Sequence, residues 1–482
     1  MMVVDHGSLN IALPTIADRL DTDLPTVQWV ALGYALGISA FLLPAGRLAD
    51  VFGRKNIYIW GFILFGLASA AAGAAPNLWT LIFFKVLSAV GSAIIMANGM
   101  AILISVFPSN ERGKAIGTHM AFVGSGSIFG PALGGILVDS LGWRSVFFVN
   151  VPLAVLGVVA AIVILNARRF PQILEENEAG RFDWLGAGLS AGALIMFLLA
   201  VTNGGHRIGW LSAPISLSFV AAALLLVLFI RREGRTSAPM LHLDLFKNRT
   251  FSLGAVAAFV AFMSTSSIFF LMPFYLQEVL DYVPREAGLI MISSAAAMVI
   301  TGPISGRFAD RFGWKPLTIT GAGISAIGML LLTRLSLNSS LVLVISALVC
   351  HGGGGGIFHA ANHTSIMTAA DPRRFGVASA FINLNRNTAS TVGQAIAVAI
   401  AVATMASLGF APRLDVIAEG GTVGMASAFT AGLRNVYYVA TGLMLVVLGL
   451  AVFQGKRLQP IEVAVPCVDT VACHSRPPKD RG

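Results

Sequence analysis

The sequence predicts an all-α polytopic membrane protein, two six-helix bundles with two further helices between them. Three observations carry this. Of 482 residues, 56% are hydrophobic and only 11% are charged, where a soluble domain carries about 25% charged residues. Apolar runs of spanning length recur along the whole chain, and one ten-residue pattern occurs twice. A single soluble core stops growing near ~250–300 residues. This composition therefore excludes a pair of soluble domains, a disordered chain and a disulfide scaffold. Cys350, Cys467 and Cys473 form no framework, since two of them lie in a polar C-terminal tail.

The spans are read as residues 1–17, 26–48, 56–75, 78–106, 114–138, 143–166, 183–202, 212–231, 250–272, 284–305, 316–336, 340–368, 376–406 and 433–453. Fourteen spans of ~20 residues account for about 58% of the chain, which matches the hydrophobic share. The first is short. Met1 to Ile16 makes about 24 Å of helix, against a ~30 Å hydrocarbon core. An apolar extension of roughly a dozen residues upstream of Met1 is expected on that count. Without it, Asp5 is expected near the cytoplasmic surface. No cleavable leader is expected, because the first run ends in DRLDTDLP with no small-residue cleavage site.

The net charge of +9 does not point to nucleic acid, because the cations sit in loops between apolar runs. With the N-terminus in the cytoplasm, alternate inner loops and the tail hold 23 Lys and Arg, and the outer loops hold 7. Lys85 and Arg386 fall inside spans. The positive-inside rule then places both termini in the cytoplasm and the protein in an inner or plasma membrane.

GRLADVFGRK at 46–55 and GRFADRFGWK at 306–315 agree at seven of ten positions, 260 residues apart. Each copy follows a span and opens the next. Parallel halves related by an axis along the membrane normal produce such repeats. The predicted organisation is a first bundle over 1–166, two inserted helices with linkers over 167–249, a second bundle over 250–453 and a disordered tail over 454–482.

GRLADVFGRK resembles the loop signature of the major facilitator superfamily. GSIFGPALGG at 126–135 is similar to the fifth-span signature of its antiporters. VVDHGSLNIALP at 3–14 resembles the first-span signature of its fourteen-spanner drug:proton antiporters. Two residues depart from the family's fourth-span pattern: Lys85 stands at its usual arginine and Ser88 at its usual glutamine.

The resemblance implies a major facilitator fold and a cytoplasmic gate built on Gly46, Arg47, Asp50, Gly53, Arg54, Lys55, Gly306, Arg307, Asp310, Gly313 and Lys315. Gly46 permits close packing. Asp50 sits where the unpaired N–H groups opening span 3 favour an anion, and Arg54 and Lys55 are available to pair with it or to hold the cytoplasmic surface. By the resemblance, Asp50 also faces the start of span 13, where Arg373 and Arg374 supply opposite charge. Gly126, Gly130 and Gly134 stack at i, i+4, i+8, a face that lets backbones approach closely. With Gly135 and the bend at Pro131 they form a kinked seam, the antiporter motif of the family.

Ionisable groups in hydrocarbon are costly and functional by default. Asp5 is the predicted proton carrier, and Lys85 its partner, released when Asp5 protonates. Arg386 lies ~15 Å into span 13. Asn383 and Asn387 flank it, making a polar patch at the depth where transporters bind substrate. Asn362 and His359 of span 12 belong to the same predicted cavity. His359 and His363 stand at i,i+4, but with no carboxylate or cysteine at helical spacing no metal site is expected. The run of five glycines, Gly352–Gly356, predicts close helix contact or a flexible break.

The implied function is secondary active transport: proton-coupled antiport that exports small apolar organic compounds by alternating access. The buried cations favour neutral or anionic cargo. A proton symporter for a metabolite and a non-transporting membrane sensor are the alternatives. No nucleotide-binding loop of the G-x4-G-K-[ST] kind occurs, and no enzymatic constellation or cofactor is expected. The predicted partners are protons, a small molecule and the bilayer, with the chain acting as a monomer.

Overall fold

A computed structural model describes residues 1–106, 126, 129–165, 183–204, 209, 212–236, 243–369, 375–410 and 423–454. The helices are α1 (Met2–Arg19), α2 (Leu24–Phe52), α3 (Arg54–Gly73), α4 (Leu78–Val106), α5 (Phe129–Leu141), α6 (Ser145–Ile164), α7 (Trp184–Gly204), α8 (Ala213–Glu233), α9 (Arg249–Phe274), α10 (Pro284–Phe312), α11 (Trp314–Leu332), α12 (Leu341–Thr368), α13 (Phe375–Ser407) and α14 (Val423–Phe453). Twelve are long and apolar enough to cross a membrane; α1 carries too many charges and α5 is too short in its described part. The last helix starts ten residues before the expected 433, because the polar Arg434 and Asn435 sit inside a continuous helix. Arg373, Arg374 and nearly all of the tail, with Cys467 and Cys473, lie outside the described residues, as do the side chains of Arg47, Asp50 and Asp310.

Local sequence explains the helix starts. The Asp23 side chain accepts from Thr26 N at 3.1 Å, and Asn248 accepts from Thr250 N at 2.9 Å. Asp183 accepts from Gly186 N at 3.0 Å and also receives Arg232 Nε at 2.8 Å, which ties α7 to the end of α8. Side-chain oxygens at these positions satisfy N–H groups that open a helix unpaired. Pro273 ends regular α9 and leads into a π turn, Tyr275–Val279.

The repeat in sequence is a repeat in packing. Helices α2 and α3 pack on α4, and α3 on α6; in the same pattern α10 and α11 pack on α12, and α11 on α14. Small residues allow it. A Cβ on Gly91 would stand 2.7 Å from Phe65 N, and one on Gly321 2.5 Å from Phe358 N. The five glycines form no break. Helix α12 runs through them unbroken, with Gly352 and Gly356 against α10 and Gly354 against α11.

Large apolar side chains point outward along α3, α6 and α8, among them Trp60, Leu67, Leu156, Val163, Leu217 and Val220, as lipid-facing helices require. Inside, one continuous apolar core joins α1, α2, α9, α10, α13 and α14 at the end where α1 meets α2. At the other end, which carries the repeated loops, the clusters are small. Phe65, Ile95 and Ala154 form one among α3, α4 and α6; Ala309, Trp314 and Ala361 form another among α10 to α12.

Candidate functional site

Asp5 and Lys85 lie 80 residues apart and meet inside the protein. Lys85 Nζ donates to Asp5 Oδ1 at 2.8 Å and to Oδ2 at 2.7 Å. The side chain of Asp5 is wholly buried although the residue lies near the chain start. The reason is lateral: α1 is enclosed by α2, α6, α9 and α10. Asn150 of α6 donates a third hydrogen bond, Nδ2 to Asp5 Oδ1 at 2.7 Å. Lys85 sits 4.3 Å from the ring centre of Tyr34 and 5.4 Å from that of Phe147. Tyr34 is itself fixed by a 2.8 Å hydrogen bond with Ser92. Burying a charge pair away from water is costly and is tolerated only when further bonds satisfy it. Here three hydrogen bonds from two donors hold the carboxylate and two aromatic faces cover the ammonium.

The glycine face of α5 lies beside this pair. Ser8 Oγ donates to Gly130 O at 2.7 Å. A Cβ on Gly134 would stand 2.5 Å from Ser8 Cα, and one on Gly130 3.2 Å from Gly7 Cα; Gly126 faces Val3. Gly135 looks the other way, where a Cβ would stand 2.5 Å from Pro284 O of α10. Gly288 of α10 returns the contact against Pro131. The segment thus packs α1 on one side and α10 on the other. Gln277 Nε2, in the π turn, donates to Ile11 O of α1 at 3.2 Å and adds a third tie.

The repeated loops are built alike. Gly53 (φ 92°) and Gly313 (φ 85°) each join two helices through a backbone conformation that favours glycine. Lys55 donates to Ile162 O at 3.0 Å and to Leu165 O at the end of α6; Lys315 donates to Gln454 O at 2.9 Å at the end of α14. Each lysine therefore caps the last helix of its own repeat, an interaction of a cation with terminal carbonyls. Of the two roles expected of Lys55, these bonds describe the one at the loop surface; the side chain of Asp50 lies outside the described residues. Gly46 makes ordinary contact with Ala97, Gly306 faces open space, and Arg307 is exposed.

The second predicted cluster divides. Arg386 lies within electrostatic reach of His359 and His363 on α12 and of His6 on α1. Its neighbour Asn387 has an amide nitrogen without a hydrogen bond among the described residues, and Asn383 has a partner. His359 stacks on Phe262 at 4.2 Å between ring centres. Asn362 departs from the expected cavity. It is buried, donating to Gly254 O at 2.9 Å and accepting from Gln454 Nε2 at 3.0 Å. Its amide is occupied in joining α9, α12 and the end of α14.

The family model described as Major Facilitator Superfamily matches residues 1–394 and 256–463. The chain belongs to the Major Facilitator Superfamily. Within the superfamily it is 33% identical over 395 residues to the riboflavin transporter RibZ of Clostridioides difficile, covering 82% of this chain and 84% of that protein. It is 32% identical to the multidrug resistance protein Stp of Mycobacterium tuberculosis, over 82% of this chain and 72% of that one. The multidrug transporter protein MdtP of Bacillus subtilis is 32% identical over 81% of this chain and 71% of its own length. Among solved structures, a POT family peptide transporter aligns with a TM-score of 0.66 at 15% identity, over 96% of this chain and 97% of that one, which shows the fold.

For this member of the superfamily, sequence reasoning missed Asn150, Tyr34 and Phe147. Asn150 opens an apolar stretch, NVPLAVLGVV, and an asparagine there reads as a helix start. Only folding shows that it faces Asp5.

Proposed function

We propose that this protein is a proton-coupled antiporter that exports small, mostly apolar organic compounds across an inner or plasma membrane. The observation that carries the reading is the Asp5–Lys85 pair, 2.7 Å apart and wholly buried. A carboxylate held that way by a cation exchanges its partner for a proton, and the release of Lys85 gives the conformational step its electrostatic bias. In this reading α1 and α5 complete fourteen spans, with both termini in the cytoplasm. Helices α1–α6 and α9–α14 form the two rocking bundles and α7–α8 lie between them. The continuous apolar core then closes the outer side, and the small separate clusters leave the cytoplasmic side to open. The Gly130–Gly135 seam seals the route between the bundles. The loop residues from Gly46 to Lys55 and from Gly306 to Lys315 gate the cytoplasmic end. Arg386, Asn383, Asn387 and His359 line the cargo cavity, and the excess of cations selects neutral or anionic cargo. The identity to Stp and MdtP supports efflux.

Everted vesicles test this. An inside-acid gradient is expected to drive cargo uptake with proton release, and Asp5→Asn is expected to abolish both. Uptake independent of the gradient refutes the coupling. A second reading, movement of a metabolite on the same fold, is favoured by the identity to a riboflavin transporter. It predicts riboflavin-like metabolites as better cargo than drugs, and co-transport of protons in the same direction.

A further inference from the structure

Asn150 is an anomaly in its own site. Its Nδ2 donates to Asp5 Oδ1 at 2.7 Å, yet its Oδ1 is buried with no hydrogen-bond partner among the described residues. Buried polar atoms are rarely left unpaired without a reason. An aliphatic residue would fill the space without that cost. What an asparagine offers is a donor and an acceptor at the two ends of one planar group. Asp5 needs the donor when ionised and needs an acceptor when its carboxyl carries a proton.

We infer that Asn150 is a second member of the proton site, partnering Asp5 in both protonation states. Its Nδ2 donates to the carboxylate, and after a half-turn about its Cβ–Cγ bond its Oδ1 accepts from the protonated acid. The inference rests on the coupling role proposed for Asp5. The balance is simple. One proton from solvent binds a carboxylate oxygen of Asp5, and the new O–H bond points to Asn150 Oδ1. Lys85 keeps its protons, so the site gains one positive charge. The ammonium, no longer paired, stays against the faces of Tyr34 and Phe147, 4.3 Å and 5.4 Å away. The aromatic box explains how a buried cation survives the loss of its counter-ion.

The titratable groups around Asp5 are few. Lys85 lies on α4, Tyr34 on α2, and His6 and the Met1 amino group on α1 itself, with Arg386 of α13 acting on His6 at longer range. Helix α6 carries no charged residue; α9 has only Arg249 at its far end; α10 carries charge only in its first turn and at its distal end; α5 has Asp139 near its end. Asn150 and the Tyr34 hydroxyl are therefore the neutral hydrogen-bonding groups near Asp5, and of the two Asn150 is the one with an amide oxygen left unpaired among the described residues.

Infrared difference spectra of the full-length protein, recorded between alkaline and acid pH, test this. The carboxylic acid C=O band that disappears in Asp5→Asn reports protonated Asp5. In Asn150→Leu that band is expected at higher frequency, because the O–H has lost its acceptor. Its midpoint is expected to move toward alkaline pH by roughly tenfold in proton concentration, because the lost N–H acted on the charged form, where hydrogen bonds are about twice as strong. Asn150→Ser, whose hydroxyl is too short to reach Asp5, is expected to give the same shift and serves if the leucine variant does not fold. A band with unchanged frequency and midpoint in both variants overturns the role of Asn150 while leaving that of Asp5. Absence of any Asp5-dependent band overturns the coupling reading itself.

Discussion

Lys85 donates to both carboxylate oxygens of Asp5, and the two side chains are 1% and 0% exposed. Removing one partner of a buried pair leaves an uncompensated charge, a loss of about 3–5 kcal/mol, whereas removing both is far milder. Lys85→Met is therefore expected to lower the thermal unfolding temperature in detergent sharply. The double variant Asp5→Asn/Lys85→Met is expected to recover most of the loss. A double variant no more stable than Lys85→Met would show that the pair is not a closed unit.

Two adjacent glycines of α5 are expected to behave differently. A methyl on Gly134 meets Ser8 Cα of α1, whereas one on Gly135 meets Pro284 O of α10. Both contacts are with backbone, so helices must shift, at about 1–3 kcal/mol. Gly134→Ala is expected to lower stability by parting α5 from α1 while leaving the distance between α5 and α10 unchanged. Gly135→Ala forces α5 from α10 and is expected to lengthen the distance between spin labels at Ser140 and Val283, measured by pulsed electron resonance.

The two loops offer a matched pair. Gly53 and Gly313 hold φ/ψ of 92°/121° and 85°/159°, a positive-φ region almost confined to glycine, where a Cβ costs about 1–3 kcal/mol. Alanine at either position is expected to lower stability by that amount, nearly equally, because nothing crowds either site. Thermal unfolding of the two variants side by side measures it. A large difference between them would show that the loops are not built alike.

Asn362 and Arg386 separate packing from cargo. Asn362→Leu strands Gln454 Nε2 and removes the second donor on Gly254 O, a loss of about 1–3 kcal/mol. Its KM for cargo is expected to stay near that of the unaltered protein. Arg386→Gln is expected to raise KM for anionic cargo several-fold with little change in stability. Transport kinetics in proteoliposomes, with unfolding curves on the same preparations, distinguish the two.

Much of the candidate site was legible along the chain. A carboxylate and an ammonium in apolar helices need each other, so the pairing of Asp5 with Lys85 follows from cost alone. The spacing of Gly126, Gly130 and Gly134 fixed one helix face, and that face does pack closely. Lys55 was less legible. A basic loop offers several anionic partners, and its true acceptors are backbone carbonyls of α6 more than 100 residues away. Asn362 reads as polar and deep, which suits a cavity and a packing network equally.

Hydropathy, charge placement and repetition are properties of the chain as a string, so a membrane-embedded helical protein with a repeated pattern could be read from residue order alone. That α5 divides its glycines between α1 and α10 emerged with the packed fold. The same packing put Asn150 on Asp5 and the aromatic rings on Lys85. Periodicity tells which residues share a face, but which face meets which is a matter of packing between helices distant in sequence.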